Sequence, residues 1–334
     1  MRNTQPIISA TPTSFDFESA EPADLEFESR ELLLGAAHHN MRLDKVLADL
    51  VPEFSRSYLQ QLIDSGNVLV NGKTAGKASL KVKLADQCQV ELRPSPQSQS
   101  FKAETMPLNL VFQDEHLLVI NKPAGLVVHP APGNWSGTLM NGLLGFDPQS
   151  FMLPRAGIVH RLDKDTSGLM VVARTREVMD ALVRAIAAKD VKRQYLALGH
   201  GPWVGEKFRQ IDAPVGRDPK NRLRMAVVNL ATQAGKAART DMALLAGCEL
   251  GCLVQCNLHT GRTHQIRVHM ASIGHPLVAD QLYGGAFAAG MQRQALHAVK
   301  LSFVHPITSA SLVFAAPVPP DLLAAFDSWG LKYN

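Results

Sequence analysis

An aspartate beside an arginine at a tight polar turn is the feature of this sequence best suited to catalysis. Asp163 lies two residues after Arg161, and the polar residues 164–168 follow it. A carboxylate in such a position can act as a nucleophile or as a general base. The same pattern also fits an ordinary aspartate that caps a turn, with Arg161 as its surface partner. The residue types alone therefore leave both interpretations open.

Other elements must bring further side chains to this point if Asp163 is catalytic. The apolar run 169–173 predicts a buried strand. The alternating residues 192–198 predict a second strand, which carries Tyr195. A polar turn then leads into a helix over 264–273. Strands alternate with only two clear helices in this part of the chain, which favours an α+β fold over a doubly wound parallel sheet.

Two longer motifs, one of which contains this turn, resemble the signatures of a known family. The segment HRLDKDTSGLMVVA, residues 160–173, resembles the catalytic motif of the RluA family of RNA pseudouridine synthases. The segment HTGRTHQIRVHMASIGHPLVAD, residues 259–280, resembles the second signature of that family. Neighbouring stretches resemble its RluD-type branch, which modifies large-subunit ribosomal RNA. The implied domain has a mixed, mostly antiparallel sheet with flanking helices and an active cleft across the sheet.

The resemblance also implies a role for each candidate residue. Asp163 is then the catalytic carboxylate, acting as nucleophile or general base, and Arg267 pairs with it and orients it. Tyr195 lies against the flipped target base. Arg161 enters the RNA stack near the vacated position. The reaction needs the base out of its helix and a cation that keeps the aspartate ionised, because burial alone would raise its pKa.

A small module precedes the catalytic domain. Residues 41–93 predict helix, helix, strand, turn and strand, and residues 55–73, SRSYLQQLIDSGNVLVNGK, resemble the αL-motif RNA-binding domain. In that family the second helix and the loop after it contact the RNA backbone. Matching positions give four candidate phosphate contacts: Arg42, Lys45, Arg56 and Lys73. The alternative is that these cations only solvate a surface.

The remaining boundaries follow from composition. Residues 1–40 hold seven acidic residues against two arginines, which predicts an acidic, flexible tail. Residues 94–106 are rich in proline and serine and predict a linker. The catalytic domain is expected over residues 107–330. Within it, residues 201–240 form a basic loop with further candidate phosphate contacts, or a solvated loop: Arg217, Lys220, Arg222 and Arg224.

Composition limits the classes of function. The chain has 334 residues and a net charge of +4, and the acidic tail leaves a more basic body that suits an anionic partner. Its four cysteines lack a usual zinc spacing, and we find no P-loop and no dinucleotide fingerprint. We therefore expect no cofactor and no metal. With no membrane segment and no secretory signal, we expect a cytoplasmic monomer.

The predicted function is isomerisation of specific uridines to pseudouridine in large-subunit (23S) ribosomal RNA, with that RNA or a ribosomal particle as partner. A second possibility is a synthase that acts on other ribosomal sites or on tRNA. A third is a non-catalytic RNA-binding protein of ribosome assembly. A fourth is a carboxylate-based hydrolase such as a glycosidase, which needs two carboxylates, and Asp165 is the only close candidate for the second.

Overall fold

The computed structural model describes residues 28–52, 56–92, 102–131, 134–221 and 224–333. The chain divides into two units, Met1–Ser95 and Pro96–Asn334, which are described separately. This division falls inside the segment that composition assigned to a linker.

The first unit packs two short helices on a small sheet. Helix α1 (Leu43–Leu50) and helix α2 (Arg56–Asp64) bury apolar residues at helical spacing, as their sequences predict. The antiparallel sheet has the strand order β1-β4-β2-β3. Its strands are β1 (Glu28–Leu33), β2 (Val68–Val70), β3 (Lys73–Thr74) and β4 (Gln87–Leu92).

Strand β1 corrects the extent of the predicted tail. It pairs with β4 from Glu28 opposite Leu92 to Leu33 opposite Gln87, and Leu34 is buried in the core of this unit. The prediction of a tail over 1–40 is therefore wrong for residues 28–40. The partner strand lies about sixty residues later in the sequence, so acidic composition concealed a pairing that local pattern does not show. Residues 1–27 lie outside the described part.

The second unit is built on one large sheet. Its strand order is β5-β6-β7-β15-β8-β14-β13-β9, with β16 paired to β15. Among the described strands only β7 and β15 pair in parallel, so the predicted mixed, mostly antiparallel sheet is confirmed. The central strands are β5 (Leu110–Gln113), β6 (Leu117–Lys122), β7 (Ser167–Ala173), β8 (Lys192–His200), β14 (Gly251–Leu258) and β15 (Leu296–Val304).

The outer strands complete this sheet and a smaller one. Strands β9 (Phe208–Asp212), β13 (Arg239–Gly247) and β16 (Ser311–Ala315) belong to the large sheet. Strands β10 (Val215–Arg217), β11 (Met225–Val227) and β12 (Gly235–Lys236) form a three-stranded sheet. The segment 201–240, predicted as a basic loop, therefore contains strand β9 and the three-stranded sheet, in which β10 and β11 form an antiparallel hairpin.

Helices cover both faces of the large sheet. Alternate residues of β7 enter two separate apolar clusters, one with helix α3 (Leu139–Phe146) and one with helix α4 (Arg176–Ala187). A strand buried on both faces reads as a continuous apolar run, which explains residues 169–173. Helix α5 (Gln265–Ser272) lies on the α3 side, and helix α6 (Pro320–Ser328) packs in a third cluster with Leu198.

The last residues of the predicted linker belong to the second unit. The side-chain amide of Asn141 on α3 donates to the carbonyl oxygen of Lys102, over 2.9 Å. The backbone N–H of Glu104 donates to the carbonyl oxygen of Asn141, over 3.0 Å. The linker prediction over 94–106 is therefore wrong for 102–106, because these bonds attach the segment to α3. Residues 93–101 lie outside the described part.

Candidate active site

Two cations, the buried Lys122 and the partly buried Arg293, fix the turn that carries Asp163. The carbonyl oxygen of Asp163 accepts from the N–H of Thr166 over 3.1 Å, which closes the turn just before β7. The carbonyl oxygen of Lys164 accepts from Lys122 Nζ over 2.9 Å. The next carbonyl, that of Asp165, accepts from Arg293 Nη1 over 3.0 Å. The backbone beside the carboxylate is therefore held from two sides.

The ammonium group of Lys122 has a partner for each of its three protons. Besides Lys164, it donates to the carbonyl oxygens of Pro123 and Leu126, over 2.8 and 2.9 Å. Burial lowers the pKa of Lys122 to about 8, against the opposing charges of Asp165 and Asp163. The cation that braces the turn therefore loses its proton more readily than an exposed lysine does.

Arg267 on α5 connects Asp163 to a second carboxylate. Its Nη1 donates to Asp163 Oδ2 over 3.1 Å. Its Nε and Nη2 form a fork to the two oxygens of Asp280, over 2.7 and 2.8 Å. Burial opposes its charge, but the bonds to Asp280 and Asp163 prevail and raise the pKa of the guanidinium. A fork of this kind fixes the plane of an arginine, so Asp280 decides which atom Arg267 presents to Asp163.

Tyr283 and His264 complete the surroundings of this pair. The ring of Tyr283 lies 5.0 Å from the guanidinium carbon of Arg267. Its hydroxyl accepts from the N–H of Met225 and lies 2.8 Å from His264 Nδ1, so its own proton is available to that nitrogen. His264 Nε2 then carries the ring proton and lies 3.9 Å from Asp163 Oδ1. Burial lowers the pKa of His264, which favours this neutral form.

A cavity of about 610 Å³ opens over Asp163, within the size range of small-molecule sites. Tyr195 lines it from β8 and is 4% exposed, and burial raises the pKa of its hydroxyl. Within the described residues one carboxylate, Asp163, and six cationic side chains line this cavity: Arg155, Arg161, Lys189, Arg193, Arg262 and Arg267. Such an excess of positive charge fits a polyanion better than a neutral sugar.

The structure therefore brings Asp163, Arg161, Tyr195 and Arg267 together around one cavity. The basic residues of the β10–β11 hairpin lie outside its lining. Arg224 pairs with Asp218 over 2.6 Å, whereas Lys220 and Arg217 are exposed on the hairpin. Arg222 lies outside the described residues.

The candidate phosphate contacts of the first unit fall into two groups. Lys45 and Lys73 are exposed. Arg42 and Arg56 both bind the buried carboxylate of Asp44, with shortest distances of 3.0 and 2.6 Å. These bonds strongly lower the pKa of Asp44, led by the hydrogen bond from Arg42. One negative charge thus holds two arginines side by side.

Sequence reasoning missed several residues that support the site. Asp280 ends the second motif, thirteen residues after Arg267, but its type and position alone gave it no role. His264 lies in the same motif, but the sequence does not indicate that Tyr283 is its partner. Lys122 follows a predicted strand and is 0% exposed. Its position just after the apolar run 117–120 is the sequence feature that agrees with its burial.

The described residues lack two kinds of feature, a membrane-spanning helix and a metal site. No described helix is both long enough and apolar enough to cross a membrane. No group of three or more His, Cys, Asp and Glu side chains in the described ranges is placed to hold a metal ion.

The chain matches two family models and is similar in sequence to known proteins. The model of the RNA pseudouridylate synthase family matches residues 116–272, and that of the S4 domain matches residues 41–88. The chain is 45% identical over 330 residues to ribosomal large subunit pseudouridine synthase D of Neisseria meningitidis serogroup B, covering 93% of this chain and 86% of that protein. The protein of the same name from Nitrosomonas europaea is 47% identical, with coverages of 85% and 83%.

A solved structure agrees with these relatives. The structure titled Human RNA Pseudouridylate Synthase Domain Containing 1 superposes with a TM-score of 0.50 and 28% sequence identity. The match covers 66% of this chain and 87% of that chain.

Proposed function

Because the chain belongs to the RNA pseudouridylate synthase family, we propose that it isomerises specific uridines to pseudouridine in large-subunit ribosomal RNA. The observation that carries the proposal is a single carboxylate, Asp163, bound by Arg267 at the floor of a cationic cavity. The relatives named above supply the choice of ribosomal RNA. The S4 module, with paired arginines on Asp44, supports a large RNA rather than a free nucleoside.

The proposed reaction breaks the bond between a uracil nitrogen and the ribose, and it rejoins the same base through a carbon. The proton lost from that carbon is balanced by the one gained at the freed nitrogen. Asp163 acts at the ribose or the base, as nucleophile or general base. Arg267 donates to the carboxylate of Asp163 and orients it. Tyr195 packs against the flipped base, and Arg161 enters the stack that the base has left.

The decisive experiment replaces the carboxylate without changing its shape. Ribosomal RNA from cells that lack the gene is treated with wild-type protein or with Asp163→Asn, and its pseudouridines are mapped. We expect sites that only wild type restores, while the variant keeps its fold and its affinity for the RNA. Product from the variant would remove Asp163 from its role. If no sites are missing in those cells, tRNA is the next substrate to map.

Asp165→Asn is the matched control, because the carboxylate of Asp165 lies in the same turn but does not line the cavity. We expect this variant to restore every site. A loss of pseudouridine in both variants would show that the reaction also needs Asp165. Hydrolysis of free nucleosides without RNA would support the glycosidase alternative, which needs two carboxylates. Equal biological function of wild type and Asp163→Asn would favour a non-catalytic role in ribosome assembly.

The proposal includes a cytoplasmic monomer that works without a metal or cofactor. Sedimentation of the purified protein tests the monomer. Activity of protein that has been dialysed against a chelator tests the absence of a metal requirement.

A further inference from the structure

Arg193 is a buried cation that lacks a partner within the described residues. It lies on β8 two positions before Tyr195 and is 7% exposed. Its Nε has no hydrogen-bond partner, and none of the ion pairs in the described ranges involves its guanidinium. A buried arginine is almost always paired, because an uncompensated buried charge is costly. Arg193 is therefore suited to an anion that the free protein does not hold.

The surroundings of Arg193 leave room for its side chain. Its Nη1 lies over the backbone of Gly261, where any Cβ would come within 2.8 Å of that nitrogen. A glycine at this position in the turn before α5 therefore admits the guanidinium. The charge of Arg193 also reaches the active site, because it adds to burial in lowering the pKa of His160 to about 3.

A second cavity adjoins the first at this arginine. It has a volume of about 280 Å³, and it shares Lys189, Arg193, Leu258 and His259 with the Asp163 cavity. Lys192 and Lys300 add two exposed ammonium groups to its lining, on strands that pair with each other. No carboxylate of the described residues lines it. A continuous cationic path therefore leads from Asp163 around the start of β8.

We propose that this second cavity binds the backbone of the substrate RNA, with Arg193 contacting the phosphate next to the flipped uridine. Lys189, Lys192 and Lys300 contact the phosphates that follow. The proposal rests on the proposed function and extends it to the path of the RNA. Phosphate suits the site because a guanidinium can donate two parallel bonds to its oxygens, and because exposed lysines act as mobile point charges around it.

The first test uses the two exposed lysines, whose removal leaves the core intact. Affinity for a hairpin RNA that contains a mapped target uridine is measured at several KCl concentrations. For Lys192→Ala/Lys300→Ala we expect the slope of log affinity against log salt to fall by roughly 1.4, about 0.7 for each lost contact to a single strand. We expect KM to rise about ten-fold and kcat at saturating RNA to stay unchanged. The control pair is Lys207→Ala/Lys332→Ala, which removes two exposed lysines outside both cavities.

The second test separates binding of an anion from a structural role of Arg193. If Arg193 awaits an anion, Arg193→Met removes an uncompensated buried charge, so the free protein should resist urea at least as well as wild type while its KM rises. If Arg193 holds the fold together, the same variant loses stability, and the proposal is wrong.

A scan of the RNA locates the contact. Single methylphosphonates replace each charged phosphate near the target uridine with a neutral group. One position should weaken binding of wild type about ten-fold and have no effect on Arg193→Met. The proposal fails if no position behaves in this way. It also fails if inorganic phosphate alone raises the urea midpoint of the wild type, because the cavity then binds a free anion. Failure of the proposed function would appear separately, as absence of pseudouridine with wild-type protein.

Discussion

Asp280→Asn is expected to disturb Asp163 without touching it. The substitution keeps the shape of the side chain but removes its charge and turns an amide NH₂ toward one N–H of Arg267. The fork from Nε and Nη2, at 2.7 and 2.8 Å, then loses one of its two acceptors. Arg267 keeps its single bond of 3.1 Å to Asp163 as its remaining ionic contact in the described residues.

The size of the effect follows from burial. The carboxylate of Asp280 is 1% exposed, and that of Asp163 is 16% exposed. Removing one partner of a buried ion pair costs about 3–5 kcal/mol, and we expect about 3 kcal/mol because Asp163 remains as a partner. For a unit of this size the midpoint of thermal unfolding should fall by roughly 6–12 °C. Because Arg267 then shifts toward Asp163, kcat should fall about 100-fold, as for a misplacement of about 1 Å.

The assay combines urea unfolding with single-turnover formation of pseudouridine at saturating RNA. Asp180→Asn is the matched control, since Asp180 also accepts from an arginine, Arg176, but on the exposed surface of α4. That pair should contribute less than about 0.5 kcal/mol and nothing to the rate.

Two results would refute this reasoning. A normal rate in Asp280→Asn, together with the expected loss of stability, would show that Asp163 does not need Arg267 to be oriented. Unchanged stability would show that the fork contributes no net energy. Affinity for the RNA is expected to stay within two-fold of wild type, because Asp280 is covered by Arg267.

Three other buried positions support the two units and give simpler tests. Lys122 should deprotonate as the pH rises through about 8, so kcat should fall there. The contribution of this group to stability should rise between pH 8 and 10.5, because the unfolded chain binds more protons than the folded chain in that range. Gly168→Ala should lower the free energy of unfolding in urea by more than about 2 kcal/mol, since φ is +116° and a Cβ would strike the carbonyl of Ala298. Asp44→Asn should destabilise the first unit by about 3 kcal/mol in the same measurement, because it leaves Arg42 and Arg56 without their buried carboxylate.

Local pattern predicted the elements whose stability is mostly local. Helix α2 and strand β8 have regular apolar spacing, and the structure confirms both. Strand β1 was missed because its partner is remote in sequence, and six residues give no period of their own. The β10–β11 hairpin was missed for a similar reason, since its two strands have three residues each.

The residues of the candidate active site also fall into those that the sequence predicted and those that it did not. Asp163, Tyr195 and Arg267 stood in recognisable motifs, so their approach to one cavity could be expected. The groups that hold them could not. Arg293 reaches the carbonyl of Asp165 from 128 residues away, and a bond to a backbone atom leaves no mark on the partner's residue type. Arg293 has this role because of its location in the folded chain, and that location cannot be read from its residue type.

Both units contain a buried carboxylate that binds arginine, but the arginines differ in their exposure. In each, a buried carboxylate holds arginine, Asp44 in the first unit and Asp280 in the second. The side chains of Arg42 and Arg56 remain 44% and 46% exposed, so one negative charge organises two positive charges that still face solvent. Arg267 is 8% exposed, and a further N–H, on its Nη1, is directed to Asp163. The same kind of ion pair therefore leaves arginine charge facing solvent in the first unit and directs it to the carboxylate of Asp163 in the second, and the exposure of the arginine distinguishes the two cases.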